Sequence, residues 1–146
     1  MKYDDAEYFF LNFETDELEN EAGATHIGMF MAWIILHEMV SDWHRDDDAD
    51  AIAKVKSHEI TGAEFVIDYL DCKLMDDDLS ELGNAFAAAY YETGYYADYM
   101  AAMGVDNETA DDFCRVEDTW DNYAKIARVL DQRFDAFKKN RAATRH

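Results

Sequence analysis

The residues best suited to chemistry fall into two kinds of cluster. Three carboxylate runs stand at Asp46, Asp47 and Asp48, at Asp76, Asp77 and Asp78, and at Asp111 and Asp112. Five of the nine tyrosines, Tyr90, Tyr91, Tyr95, Tyr96 and Tyr99, occupy ten residues around Gly94. Carboxylates this dense can bind a hard cation, pair for acid–base catalysis, or attract a positive partner. An EF-hand loop requires Gly at its sixth position and Glu at its twelfth, but counting from Asp76 gives Glu81 and Ala87, and counting from Asp46 gives Ala51 and Ser57. Neither run meets the calcium pattern. Acid–base work needs one carboxyl buried and its pKa raised, whereas Asp runs at helix entries usually stay wet and ionised. Attraction remains. One helix face cannot bury five tyrosines, so some are predicted to be exposed, and exposed Tyr beside carboxylates has the composition of a protein-binding hot spot. Tyr91, Tyr95 and Tyr96 are the expected anchors, and the eight Asp residues of the three runs are the expected steering charges.

The histidines and cysteines make no convincing site. His37-Glu38 opens like a zinc-protease H-E-x-x-H, but Ser41 stands where the second histidine belongs. His26, His37 and His44 lie 11 and 7 residues apart, roughly 16 and 10 Å along a helix axis, too far to share an ion. Each is expected to be buried or hydrogen-bonded on its own. Cys72 and Cys114 sit in no C-x-x-C pair and are expected to be reduced, half-buried thiols. No nucleophile elbow, P-loop or dinucleotide fingerprint occurs. No catalytic residue, metal or cofactor is expected.

These residues must be carried by helices. The chain has 146 residues with Gly 6 and Pro 0, too few turn formers for an all-β fold. An all-α single domain over 1–146 with about five to six helices is predicted. The uncharged stretch from Ile27 to Leu36 is too short to span a bilayer and marks a central buried helix near 22–42. An amphipathic helix within 47–58 turns Ile52 and Val55 inward. Thr61 with Glu64 forms a capping box for a helix through Leu70, whose buried face holds Phe65, Val66, Tyr69 and Leu70. A further helix is expected over 81–93, broken at Gly94, with another turn or two from 95 to 103. Trp120, Tyr123, Ala127, Leu130, Phe134 and Phe137 recur every three or four residues, the seam of a long C-terminal helix near 119–140. The aromatic residues 3–13 suit a short strand or extended arm.

Charge narrows the partner. The formal net charge is −20, so general nucleic-acid binding is excluded and basic partners are favoured. Residues 1–60 hold 4 basic against 15 acidic groups, residues 61–118 hold 2 against 15, and residues 119–146 hold 7 against 3. Lys138, Lys139, Arg141 and Arg145 complement a helix C-terminus. The first residues have no basic stretch followed by an apolar one, so no signal peptide, no membrane association and a cytoplasmic location are expected. The C-terminal seam is expected to close a monomer's own core rather than a homodimer interface.

Three strings carry a resemblance: Glu21-Ala-Gly-Ala-Thr-His-Ile-Gly-Met-Phe-Met-Ala-Trp33, Gly83-Asn-Ala-Phe-Ala-Ala-Ala-Tyr-Tyr91, and Val116-Glu-Asp-Thr-Trp-Asp-Asn-Tyr123 with Val129-Leu-Asp-Gln-Arg-Phe134. With Tyr3-Asp-Asp-Ala6 they resemble, over most of the chain, a small bacterial family of unassigned biochemistry. The first string is the specific one. The family's usual proline near the start of the central helix is absent here. Its members resemble solitary acidic domains found beside secreted toxins as immunity proteins. The resemblance implies a protein that binds a cognate basic toxin domain, a nuclease among the candidates, and occludes its active site without chemistry of its own. Two other readings stand beside it: a small helical metal-dependent enzyme, and a regulator that mimics nucleic acid with its carboxylates.

Overall fold

In the computed structural model, which describes residues 1–143, the chain is all-α with one small antiparallel sheet. Arg145 lies outside the described residues. The central helix, α2 (Thr25–Leu36), follows a short 3-10 turn at Asn20–Ala24 and is preceded by α1 (Glu7–Phe10). Every residue of α2 from Thr25 to Ile35 is buried, as suits a helix apolar on all sides.

That helix stops at Leu36, short of the expected residue 42, and the reason is long-range. Glu38 adopts a left-handed φ of 59°, and the Met39 N–H donates to the Ile34 carbonyl at 2.9 Å. The chain from Met39 to Ser41 then pairs with 78–80: the Ser41 N–H donates to the Asp78 carbonyl at 3.0 Å, and the Ser80 N–H to the Met39 carbonyl at 2.8 Å. Two short helices follow, α3 (Asp42–Asp47) and α4 (Ala49–Lys56), the latter burying Ile52 and Val55 as its pattern requires. Helical residues are thus cut into more and shorter segments than five or six.

Helix α5 (Gly62–Tyr69) opens at Thr61, whose hydroxyl accepts the Glu64 N–H at 3.2 Å. It crosses α2 backbone to backbone. A Cβ built on Gly28 would lie 2.1 Å from the Ala63 nitrogen, and one on Gly62 would lie 1.8 Å from the Gly28 carbonyl oxygen. Phe65, Val66 and Leu70 face inward, but Tyr69 is 44% exposed rather than part of the buried face.

The N-terminal segment is part strand, part helix. Strand β1 (Lys2–Asp5) pairs antiparallel with β2 (Lys73–Met75), setting Asp4 opposite Leu74. Helix α6 (Glu81–Tyr90) begins at Ser80, whose hydroxyl accepts the Gly83 N–H at 3.1 Å. A π-helical turn at Tyr91–Tyr95 joins it to α7 (Tyr96–Met103), which ends at Gly104 with a left-handed φ of 69°. After α8 (Ala110–Phe113), the long α9 (Trp120–Ala143) packs against α2, α6 and α7 and buries Ile126, Leu130 and Phe134. Phe134 meets the rings of Trp33 and Phe86 at 5.3 and 5.2 Å. Among the described residues no helix is long and apolar enough to cross a membrane.

Candidate functional site

The tyrosine cluster turns inward. Tyr91 and Tyr95 are 1% and 0% exposed, and only Tyr96, at 37%, keeps part of its ring in solvent. Tyr91 and Tyr95 are therefore corrected from surface anchors to core residues. The physical reason is the π turn, whose wider hydrogen-bond spacing shifts the helical phase between α6 and α7. Tyr90 before it, Tyr91 and Tyr95 at its two ends and Tyr99 after it can then all point at the core.

What they surround is a buried carboxylate. Asp4 is fully buried, and its Oδ2 accepts from the Tyr91 hydroxyl at 2.5 Å, the Tyr96 hydroxyl at 2.8 Å and His26 Nε2 at 3.0 Å. Its Oδ1 accepts the Asp5 N–H at 2.8 Å. Burial works against its charge, but His26 and the two tyrosines outweigh that penalty and hold the carboxyl below the ordinary 3.8. The Tyr95 hydroxyl donates to the His26 carbonyl at 2.6 Å. Burial foremost, with Asp4 close by, pushes the Tyr91, Tyr95 and Tyr96 hydroxyls up, so they stay protonated donors. This network ties β1, α2 and α7 together around one negative charge. Cys114 lies near it, but burial pushes its thiol up to about 12, leaving little thiolate to act as a nucleophile.

The acidic runs part company. Two of them converge on His44. Its Nδ1 lies 2.6 Å from Asp48 Oδ2 and its Nε2 2.9 Å from Asp78 Oδ1. With a carboxylate at each nitrogen, the imidazole is a cation donating in both directions. Burial alone would lower its pKa, yet the hydrogen bonds to Asp78 and Asp48 raise it above 6.5. Asp78 Oδ2 also accepts the Met75 N–H at 2.9 Å. Asp78 is 5% exposed, so it is corrected from a steering charge to a structural acceptor, and the half-buried Asp48 joins it.

The clamp sets an exposed face. Trp43 is 47% exposed, its ring lies 3.6 Å from that of His44, and its Nε1 donates to the Asp77 carbonyl at 2.7 Å. Asp46 and Asp47, three and four residues on, flank Trp43 along α3. Exposed Asp77 and half-buried Asp76 come from the other run, and the Met1 amino group lies 3.1 Å from Asp76. Beyond His44, the Phe65 ring leads to Tyr69, the second exposed ring. Trp43 and Tyr69 are exposed rings that the sequence reading did not single out. The signal for Trp43 was local, since it alone among the three tryptophans has Asp at −1, +3 and +4.

Asp111 and Asp112 belong elsewhere. Asp111 Oδ1 accepts the Glu14 N–H at 3.0 Å, and Asp112 Oδ2 accepts from Asn107 at 3.0 Å. They sit on α8, which packs against α1 rather than α3. Asp111 thus ties α8 to the segment that follows α1, and Asp112 closes a local turn.

Among the described residues, no group of three or more His, Cys, Asp or Glu side chains is arranged to hold a metal ion. The chemistry on offer at the Trp43 face is attraction and docking: exposed carboxylates around a ring whose orientation is set by a close contact with His44 and a hydrogen bond to the Asp77 carbonyl. Comparison with known proteins gives no match among curated proteins or solved structures. A family model does match, over residues 2–113, which spans β1 through α8. On that match the chain belongs to the family described as a domain of unknown function, DUF7832.

Proposed function

We propose that this protein is a binding module that captures a basic protein partner on the Trp43 face, acting in the cytoplasm as the immunity protein of a toxin, a nuclease among the candidates. The observation that carries the reading is the junction of two acidic runs, about thirty residues apart in sequence, around one exposed tryptophan. Isolated acidic loops would be simple solvation. Here a buried cation, His44, holds the two runs together, and Trp43 is pinned between them. A pre-set aromatic anchor costs little ordering entropy on binding, and the surrounding carboxylates raise the encounter rate with a positive surface. The net charge of −20 acts in the same direction at longer range.

The test is direct. The basic C-terminal domain of any secreted toxin encoded immediately upstream is mixed with this protein, and association is followed over a salt series. The wild type should protect cells on co-expression and bind with a steep salt dependence. Asp46→Lys, Asp47→Lys and Asp77→Lys together should slow association about tenfold or more at low salt. Trp43→Ala should chiefly speed dissociation. An unchanged association rate in the charge-reversed protein would remove the proposal.

A further inference from the structure

A second recess lies away from the Trp43 face and shares no residue with it. It is a groove of about 710 Å³ bounded by α1, α7, α8 and the loop between the last two. Its floor and walls are apolar: Phe9, Tyr96, Met100, Val105 and Phe113, with small Ala97 and Ala101 leaving the room. The volume is that of a small-molecule site rather than a crevice between side chains. Two features set its electrostatic sign. Glu108 stands exposed at the edge and forms no ion pair among the described residues. Behind the wall lies Asp4, one ring away, bound to the Tyr96 hydroxyl at 2.8 Å.

That hydrogen bond bears on the groove. A phenol donating to a carboxylate gains electron density, which strengthens the negative potential on the ring face and hence its pull on a cation. The buried carboxylate is shielded from solvent ions, and its field at the groove is reduced by its pairing with His26 at 3.0 Å, so Glu108 supplies the main charge there. The other donors to Asp4, Tyr91 and His26, fix it in place, and the His26 ring packs at 4.5, 5.4 and 4.8 Å against Phe9, Tyr96 and Phe113, all lining residues. An anion would meet Glu108 and the net charge of −20 together. A neutral apolar molecule would use the walls and leave the carboxylate at the mouth idle.

We propose that this groove is a binding site for a small amphiphilic amine, its apolar body lying on Phe9, Tyr96, Met100 and Phe113 and its ammonium group between Glu108 and the Tyr96 ring. The site is independent of the Trp43 face, so either assignment can fail without the other.

The experiment is a titration of the full, isotope-labelled chain followed by amide NMR shifts. The probe is phenethylammonium, with 2-phenylethanol as its neutral counterpart and 3-phenylpropionate as an anion of similar shape. Phenethylammonium should give saturable shifts at Ala97, Ala101 and Glu108 with affinity about tenfold above the alcohol, and the anion should not bind. Glu108→Gln, an exposed change that leaves the core alone, should remove most of that preference. Ala101→Phe should fill the groove and abolish the shifts, while Trp43→Ala should leave them unaltered. The proposal is overturned by any of four results: no saturable shift up to about 10 mM; equal affinity for amine and alcohol; amine shifts spread over the acidic runs; or binding of a lysine-rich peptide without binding of the amine.

Discussion

His44 is the residue through which charge and architecture meet. An imidazolium held by Asp48 and Asp78 fastens α3 to the segment that follows β2. Because its folded-state pKa lies above the ordinary 6.5, the folded protein binds this proton more tightly than the unfolded chain. Its contribution to stability is then complete below pH 6.5 and is lost as pH rises through the folded-state value. Urea unfolding at a series of pH values should show stability falling on the alkaline side, and His44→Gln should flatten that fall. His44→Ala, which leaves two acceptors facing each other without a cation, should cost about 3–5 kcal/mol. The same pair explains what sequence alone could not say. Asp46, Asp47 and Asp48 look alike in a string, as do Asp76, Asp77 and Asp78, but one member of each run is pulled inward by a histidine distant from it or one turn away. Only the three-dimensional partner decides which carboxylate stays wet.

At the scale of elements, the α2–α5 crossing is the closest constraint. With no side chain on Gly28 or Gly62, the two backbones touch. Gly28→Ala would place a methyl group within 2.1 Å of a backbone nitrogen, and no rotamer can relieve a clash with main chain. The expected cost is about 3 kcal/mol or more, read as a drop in the urea midpoint. Helices whose signals are local were legible from the chain: the Thr61 cap of α5, the Ile52 and Val55 face of α4, and the seam of α9 all lie where their spacing puts them. The end of α2 was not, since it depends on the pairing of 39–41 with 78–80. Nor was the inward turn of Tyr91 and Tyr95, because a regular 3.6-residue period cannot anticipate a π turn.

Across the whole molecule, the family match and the core do not end together. The matched residues stop at 113, yet the hydrophobic cluster runs on to Phe134. Arg133 adds a two-pronged bond to Asp98, at 2.9 and 3.0 Å, which in turn accepts from the Tyr90 hydroxyl at 2.6 Å. Laboratory fragments trimmed to the matched length would leave Trp33 and Phe86 without their cover, a bare oily patch of the kind that drives precipitation. Such a fragment should go to inclusion bodies on expression. A separately supplied peptide spanning 118–143 should return it to the soluble fraction, measured by centrifugation and gel. The practical lesson is that family boundaries are a poor guide to where this chain can be cut, because its final helix completes the core that the matched residues begin.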